Sequence, residues 1–277
     1  MATPTYQWDY LTNVYTASNK PAKVGDVVTS WSDLRKGISF IPTGMLVSGT
    51  PSNIMQNVNA YSPMILESDG LAITALNGAN IYNNSVINGF TLRGQGGGTV
   101  PVASIEMWFK IVNIGEGIDL LSWSQAPTLT CKFHVTPTSI TWHAGGGSWV
   151  SSPRVSITWK LNVWYHFYYA FMNNLSPCNH SLVINGSIKT AASQWGGLHS
   201  PNCATNSTVS VGRCLPKGKL VVSDLKIYSN VYQYTWDTTF TPTPRTIGNP
   251  NNTRLFTNDK SGINPYYYPF LKGRPYG

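Results

Sequence analysis

The run Val163–Met172 constrains the fold more than any other feature, because it carries apolar or aromatic side chains on both of its alternating faces. A strand of that kind lies in the middle of a sheet that is covered on both sides. Elsewhere the period is also two. Val221, Ser223, Leu225 and Ile227 alternate with Val222, Asp224, Lys226 and Tyr228, which predicts one buried and one mostly polar face. Glycine clusters at 94–98, 145–147 and 196–197, together with 18 prolines, interrupt these runs at the places where turns are needed. No segment keeps an apolar stripe of period 3.6 for three turns. The chain is therefore read as all-β.

At 277 residues and 42% hydrophobic content it can bury a full core, as one large domain or a domain with appendages. Charged residues make up only 11%, far below the usual quarter, and Asn, Ser, Thr, Tyr and Gly take their place. Such a surface suits an extracellular or particle-bound protein held by its neighbours. The net charge of +8 is uneven: from Cys131 to Lys226 the bases Lys132, Arg154, Lys160, Lys189, Arg213, Lys217, Lys219 and Lys226 meet one acid, Asp224. That asymmetry favours acidic glycans or an acidic protein surface as partners. Nucleic acid is not expected, since the bases are scattered and no nucleic-acid-binding motif accompanies them. No apolar stretch is long enough to span a membrane. The N-terminal residues 1–8 have neither a basic nor an apolar leader region, which predicts synthesis in the cytosol.

Five short signatures follow one another in fixed order: Ile105-Glu106-Met107-Trp108-Phe109-Lys110, Trp164-Tyr165-His166-Phe167, Leu182-Val183-Ile184-Asn185-Gly186, Val211-Gly212-Arg213 and Asp224-Leu225-Lys226-Ile227-Tyr228. Together they resemble the laminin-G-like branch of the concanavalin A-like lectin/glucanase superfamily. The segment 25–37, with Val28, Trp31, Asp33 and Gly37, is similar to the opening strand and turn of such domains, although Arg35-Lys36 replaces the small residue before the glycine. The resemblance implies a concanavalin A-like (laminin-G-like) antiparallel β-sandwich, or jelly roll, within residues 1–235. Residues 236–277 read as a proline- and tyrosine-rich C-terminal arm. In that arm Tyr266, Tyr267, Tyr268, Phe270 and Tyr276 predict a docking segment, with a neighbouring subunit favoured over the chain's own sheet. The core is expected to depend on Trp108, Trp164, Leu182, Ile184, Leu225 and Ile227, and Asn185-Gly186 to form a tight hairpin turn.

Hydrolysis of a glycosidic bond needs two carboxylates, and the glucanases of this superfamily present them as E-x-D-x-x-E. Here Glu67-Ser68-Asp69 has the first spacing, with both carboxylates on one strand face, but Ala72 stands in the third position. The resemblance implies that Glu106 lies on the outer face of its strand. No nucleophile elbow or phosphate loop occurs, and His166 reads as a packed, hydrogen-bonded sheet histidine. The chain is read as no enzyme. Sparse acids, with Glu116 and Asp119 the one close loop pair, predict no calcium. Cys178, His180, His199, Cys203 and Cys214 lack paired zinc spacings. At most one disulfide is expected, Cys203–Cys214 or Cys178–Cys203, and Cys131 reads as a buried free thiol. No cofactor and no metal are expected.

Trp149 and Trp195, each beside a glycine cluster, with Lys189 and Arg213, are the candidate glycan contacts, whereas Trp142 alternates as a core residue would. The favoured function is a non-enzymatic component of a virus particle, a minor capsid, spike or fibre element that contacts host glycans and other virion subunits. The alternatives are a secreted lectin or adhesion module binding acidic glycans, and a divergent glycanase.

Overall fold

A computed structural model describes residues 2–35, 39–42, 64–74, 81–82, 102–126, 129–146, 149–172, 178–195, 208–214, 217–229, 231, 233–234, 239–248 and 250. In chain order the first strands are β1 (Tyr6–Asp9), β2 (Val14–Tyr15), β3 (Val27–Val28), β4 (Ser30–Ser32), β5 (Ser39–Pro42), β6 (Met64–Leu66), β7 (Leu71–Thr74) and β8 (Ile81–Tyr82). Longer strands follow: β9 (Val102–Asn113), β10 (Ile118–Ala126), β11 (Leu129–Thr136), β12 (Ser139–Gly146) and β13 (Trp149–Ser156). The last are β14 (Trp164–Met172), β15 (Cys178–Ile184), β16 (Ile188–Trp195), β17 (Thr208–Cys214) and β18 (Lys219–Ser229).

These strands form two antiparallel sheets. The first runs β16-β15-β14-β9-β18-β7-β6-β3, with β1 continuing the β7 side of β18. The second runs β13-β12-β11-β10-β17-β8-β5-β4-β2. The chain passes between the sheets repeatedly, as from β3 to β4 and from β9 to β10. The five sequence signatures fall on β9, β14, β15 with its turn, β17 and β18, and four of those lie side by side in the first sheet.

The inner faces meet in one aromatic-rich core. Phe133 and Trp142 of the second sheet pack against Phe167 and Tyr169 of the first, with ring centroids 4.7 to 5.3 Å apart. Trp8, Trp31 and Phe40 form a second cluster, and Phe109, Trp159 and Tyr165 a third. Offset and edge-on ring pairs each add about 0.5–1.5 kcal/mol beyond the area they bury. Leu182, Ile184, Leu225 and Ile227 lie fully buried in this core, as the alternation predicts.

Two expectations about the core need correction. Trp108 and Trp164 are only partly buried and face the outer side of the first sheet, opposite Phe109 and Tyr165. The apolar character of β14 on both faces is real, but its outer half serves a different contact. In β18 the alternation also changes phase. A bulge falls between Val222 and Asp224, so Leu220 and Val222 share the inner face with Leu225 and Ile227, and Val221 and Ser223 do not.

The Asn185-Gly186 turn is as read. Both residues have positive φ, 53° and 71°, the signature of a type I′ hairpin turn. Glu67 and Asp69 do not share a strand face, because they occupy the turn between β6 and β7, closed by Glu67 N–H donating to the Gly70 carbonyl at 2.8 Å. Cys214 is a free, buried thiol, which removes the Cys203–Cys214 pairing. The backbone of Cys131 lies in β11, and Cys203 and His199 lie outside the described residues.

Candidate functional site

The two outer faces of the sandwich are treated differently by the chain. Residues 239–248 run across the first sheet, from the turn at Gly186 past Tyr168, Glu106 and Asp224 to Tyr10. Phe240 N–H donates to the Gly186 carbonyl at 3.0 Å. The Phe240 ring stacks on Tyr234 at 3.7 Å, and both rings stand edge-on to Tyr168. Arg245 lies 4.2 Å over the ring of Trp164 and donates to the Asp69 carbonyl at 3.1 Å. Gly248 N–H donates to the Tyr10 hydroxyl at 3.2 Å, which in turn donates to the Gly248 carbonyl at 3.0 Å. Trp164 thus stacks beneath Arg245 outside the sandwich core. The arm was expected to favour a neighbouring subunit, yet its described part lies on the chain's own sheet. Tyr266, Tyr267, Tyr268, Phe270 and Tyr276 lie outside the described residues.

Glu106 is on the outer face of the first sheet, and beneath this segment it is only 3% exposed. Its Oε1 accepts from Lys226 Nζ at 2.9 Å and from the Tyr228 hydroxyl at 2.8 Å. Its Oε2 accepts from the Tyr234 hydroxyl at 3.1 Å and lies 3.3 Å from His166 Nε2. The Thr243 hydroxyl sits 3.1 Å from both oxygens, and the Thr243 carbonyl accepts from Trp108 Nε1 at 2.9 Å. Burial alone would raise the Glu106 carboxyl, but the His166 hydrogen bond and the charge and hydrogen bond of Lys226 outweigh it and hold the group at about 2. Burial raises the Tyr228, Tyr168 and Tyr234 hydroxyls, the last two to about 12. His166 is fully buried and edge-on to Trp108, as its sequence context predicts.

Two further buried acids sit at the far end of the segment. Asp9 and Asp224 are paired in register across β1 and β18. Asp224 accepts from Thr246 N–H at 3.0 Å and from the Thr246 and Ser223 hydroxyls. Asp9 caps a turn, accepting from Leu11 N–H, Thr12 N–H and the Thr12 hydroxyl. Burial raises both carboxyls above the ordinary carboxylate value, and the charge of Asp224 adds to the rise at Asp9.

The outer face of the second sheet carries a different group. Inward-facing Phe133, Val135, Ile140 and Trp142 leave Lys132, His134, Thr141 and His143 pointing out. Asp119 of β10 lies 3.1 Å from Lys132 Nζ and 2.8 Å from His134 Nδ1. Burial would raise the Asp119 carboxyl, but the His134 hydrogen bond and Lys132 charge lower it below the usual carboxylate value. The His143 ring stands edge-on to His134 at 5.8 Å, with His143 opposite Lys132 in register. Exposed Arg154 is paired with Thr141.

The sequence-predicted contacts are spread over both sheets. Trp149 begins β13 opposite Gly145, and Trp195 ends β16 opposite Cys178. β13 and β16 are edge strands of different sheets that lie against each other. Lys189 is on β16 opposite Val183. Arg213 is on β17 opposite Asp119, four strand spacings, or about 19 Å, from β13. The fold therefore gathers Trp149, Trp195 and Lys189 at one edge and sets Arg213 beside Asp119. Sequence reasoning missed Asp119, Lys132, His134, His143 and Arg154 as a group. The signal was the alternation of Lys132 and His134 with Phe133 and Val135, but only strand register brings them together.

No protein-family model and no curated protein sequence matches the chain. Among solved structures, it is similar to domain 4 of a GH43 extracellular arabinanase from Geobacillus stearothermophilus in complex with arabinotriose. The TM-score is 0.53 at 13% identity, over 83% of this chain and 93% of that domain. It is also similar to the binding domain of botulinum neurotoxin serotype G, with TM-score 0.46 at 12% identity, over 82% of this chain and 47% of that one. A third is the binding domain of botulinum neurotoxin DC in complex with SialylT, with TM-score 0.46 at 10% identity, over 78% and 46%. The chain spans about half the length of the toxin domains. The arabinanase domain shares the two-sheet β-sandwich fold with this chain, and the likeness is one of fold.

Proposed function

We propose that this chain is a non-enzymatic binding module of the laminin-G-like kind, which offers the outer face of its second sheet to an acidic glycan. One contrast carries the reading. The first sheet's outer face is crossed by the chain's own residues 239–248, whereas on the outer side of the second sheet the described residues gather half-buried Lys132, His134 and His143 and exposed Arg154 around one buried acid, Asp119. Polar, hydrogen-bonding side chains on a rigid sheet suit a hydroxylated ligand, and the excess of bases suits an acidic one. The arabinanase domain that shares this fold is in complex with arabinotriose, so a saccharide is a reasonable class to test first.

The non-enzymatic part of the proposal rests on the carboxylates. Glu67 and Asp69 are each held by a lysine, Lys219 at 2.7 Å and Lys110 at 2.6 Å. Glu106 lies beneath Thr243, and Asp119 is engaged by Lys132 and His134. Asp9 and Asp224 face each other across β1 and β18 but are buried and bonded, Asp9 to the 11–12 turn and Asp224 to Thr246 and Ser223.

A glycan array probed with the full chain and with the Lys132→Ala/Arg154→Ala double variant tests the reading. Binding to sulfated or carboxylated glycans that the double variant loses supports it. Binding unaffected by the double variant, or release of reducing sugar from a polysaccharide, overturns it. We further propose that the module works in a virus particle, a setting supported by the 11% charged content and the ring-rich tail. Particle fractionation with mass spectrometry checks this, and a chain absent from particles contradicts it.

A further inference from the structure

We propose that the second sheet's outer face takes a linear polyanionic saccharide whose chain lies across the strands, along a charged stripe that runs from Arg213 to Arg154. This rests on the binding reading above and adds the shape and direction of the ligand. The stripe is a product of strand register. Asp119 of β10 is opposite Arg213 of β17 on one side and His134 of β11 on the other. His134 is opposite Thr141 of β12, and Thr141 is opposite Arg154 of β13. Arg213, Asp119, His134, Thr141 and Arg154 therefore form one transverse row. The neighbouring row is Ser210, Ser122, Lys132, His143 and Ser151.

Every charged residue and every histidine of β10 to β13 and β17 stands in these two rows. The row beyond Lys132 is Thr208, Ser124, Thr130, Gly145 and Trp149, and the row beyond His134 passes through Thr136, Ser139 and Ser156. Neither carries a charge. Neighbouring strands are about 4.8 Å apart and two residues along a strand advance about 7 Å, so the stripe is about 19 Å long and about 7 Å wide. Its long axis crosses the strands. In the middle, Asp119 lies 3.1 Å from Lys132 and 2.8 Å from His134, which gives the centre a counter-charge of its own. The arginine positions mark the two ends, and Arg154 is exposed. A single small anion cannot meet both ends, whereas a chain can. An extended pyranose chain advances per ring by a distance close to one strand spacing, so its hydroxyls meet the Ser and Thr positions of successive strands. Such a ligand is bivalent. Its second contact becomes intramolecular once the chain spans the gap, and contributes nothing while the chain is too short.

The experiment measures binding of size-defined oligogalacturonides and sulfated maltooligosaccharides, from disaccharide to octasaccharide, to the full chain. The two series separate carboxylate from sulfate recognition, and unsulfated maltooligosaccharides are the neutral control. Affinity should rise at least about tenfold between the disaccharide and the first oligomer that spans the stripe, and then level off. Arg154→Ala and Arg213→Gln should each remove that step while weakening disaccharide binding by no more than about fivefold, the upper range for an exposed ion pair. Hydrogen–deuterium exchange on the unmodified chain gives a second readout, independent of any effect of substitution on folding. The octasaccharide should protect β17 and β13 together. A smooth climb with length, a step retained in either variant, or protection of only one of those two strands overturns the transverse stripe while leaving the binding reading standing. Absence of binding at every length, or equal binding of the neutral oligomers, overturns both.

Discussion

Phe240 is docked on the turn at Gly186: its N–H donates to the Gly186 carbonyl at 3.0 Å, and its own carbonyl oxygen occupies the place a Gly186 side chain would need. Gly186 also has φ of 71°. A substitution there meets two costs, backbone strain and loss of the docked segment. Gly25 has φ of 91° with nothing within 4 Å of a built Cβ, so it reports the strain alone. Urea denaturation should find Gly186→Ala more destabilising than Gly25→Ala, which should cost about 1 kcal/mol. Equal losses would mean that Phe240 does not depend on the turn.

Glu106 ties the docked segment to pH. Its carboxyl is held at about 2 against an ordinary 4.5. A group whose folded value is lowered contributes stability above the unfolded value and loses it as pH falls through the folded one. Between about pH 4.5 and pH 2 the chain should lose on the order of 3 kcal/mol from this group. Asp9 and Asp224 act in the opposite direction, since their raised values make their cost appear as pH rises above the ordinary carboxylate range. Glu106→Gln should flatten the acid limb in a pH series of denaturation midpoints. An unchanged limb would remove Glu106 from the account.

Trp142 and Trp164 should differ as core and cover do. Trp142 is fully buried against Phe133 and Tyr169, so Trp142→Ala should cost about 3–5 kcal/mol. Trp164 is partly buried under Arg245, and Trp164→Ala should cost clearly less. Comparable losses by chemical denaturation would put Trp164 back in the core.

Cys214 is buried, with its thiol 3.6 Å from the Ile73 carbonyl, and burial pushes it up to about 12. Iodoacetamide at neutral pH should leave it unmodified until the chain is denatured, as read by peptide mass spectrometry. Native labelling would mean that β17 opens.

The all-β class, the strand positions of the five signatures and the Asn185-Gly186 turn were legible because each depends on neighbours in sequence. The phase change in β18 was not, since Leu220-Val221-Val222 is apolar on both faces and a bulge at Ser223 leaves no mark there. The two-sided character of β14 pointed to a covered outer face, yet nothing local said that residues 239–248 cover it. The burial of Glu106 on the outer face was not legible, because its donors Lys226, Tyr228, Tyr234 and Thr243 come from distant positions. The Asp119 group was hidden for the same reason: its members belong to β10, β11, β12 and β13, and only their register makes them one surface.

The central claim is that the covered first sheet leaves the second sheet as the binding face. Hydrogen–deuterium exchange with and without dextran sulfate tests it most directly. The account expects new protection in peptides covering β10 to β13, residues 118–156, with none in β9, β14 or β18. Protection confined to those three strands or to residues 239–248 would place the ligand on the first sheet and contradict it.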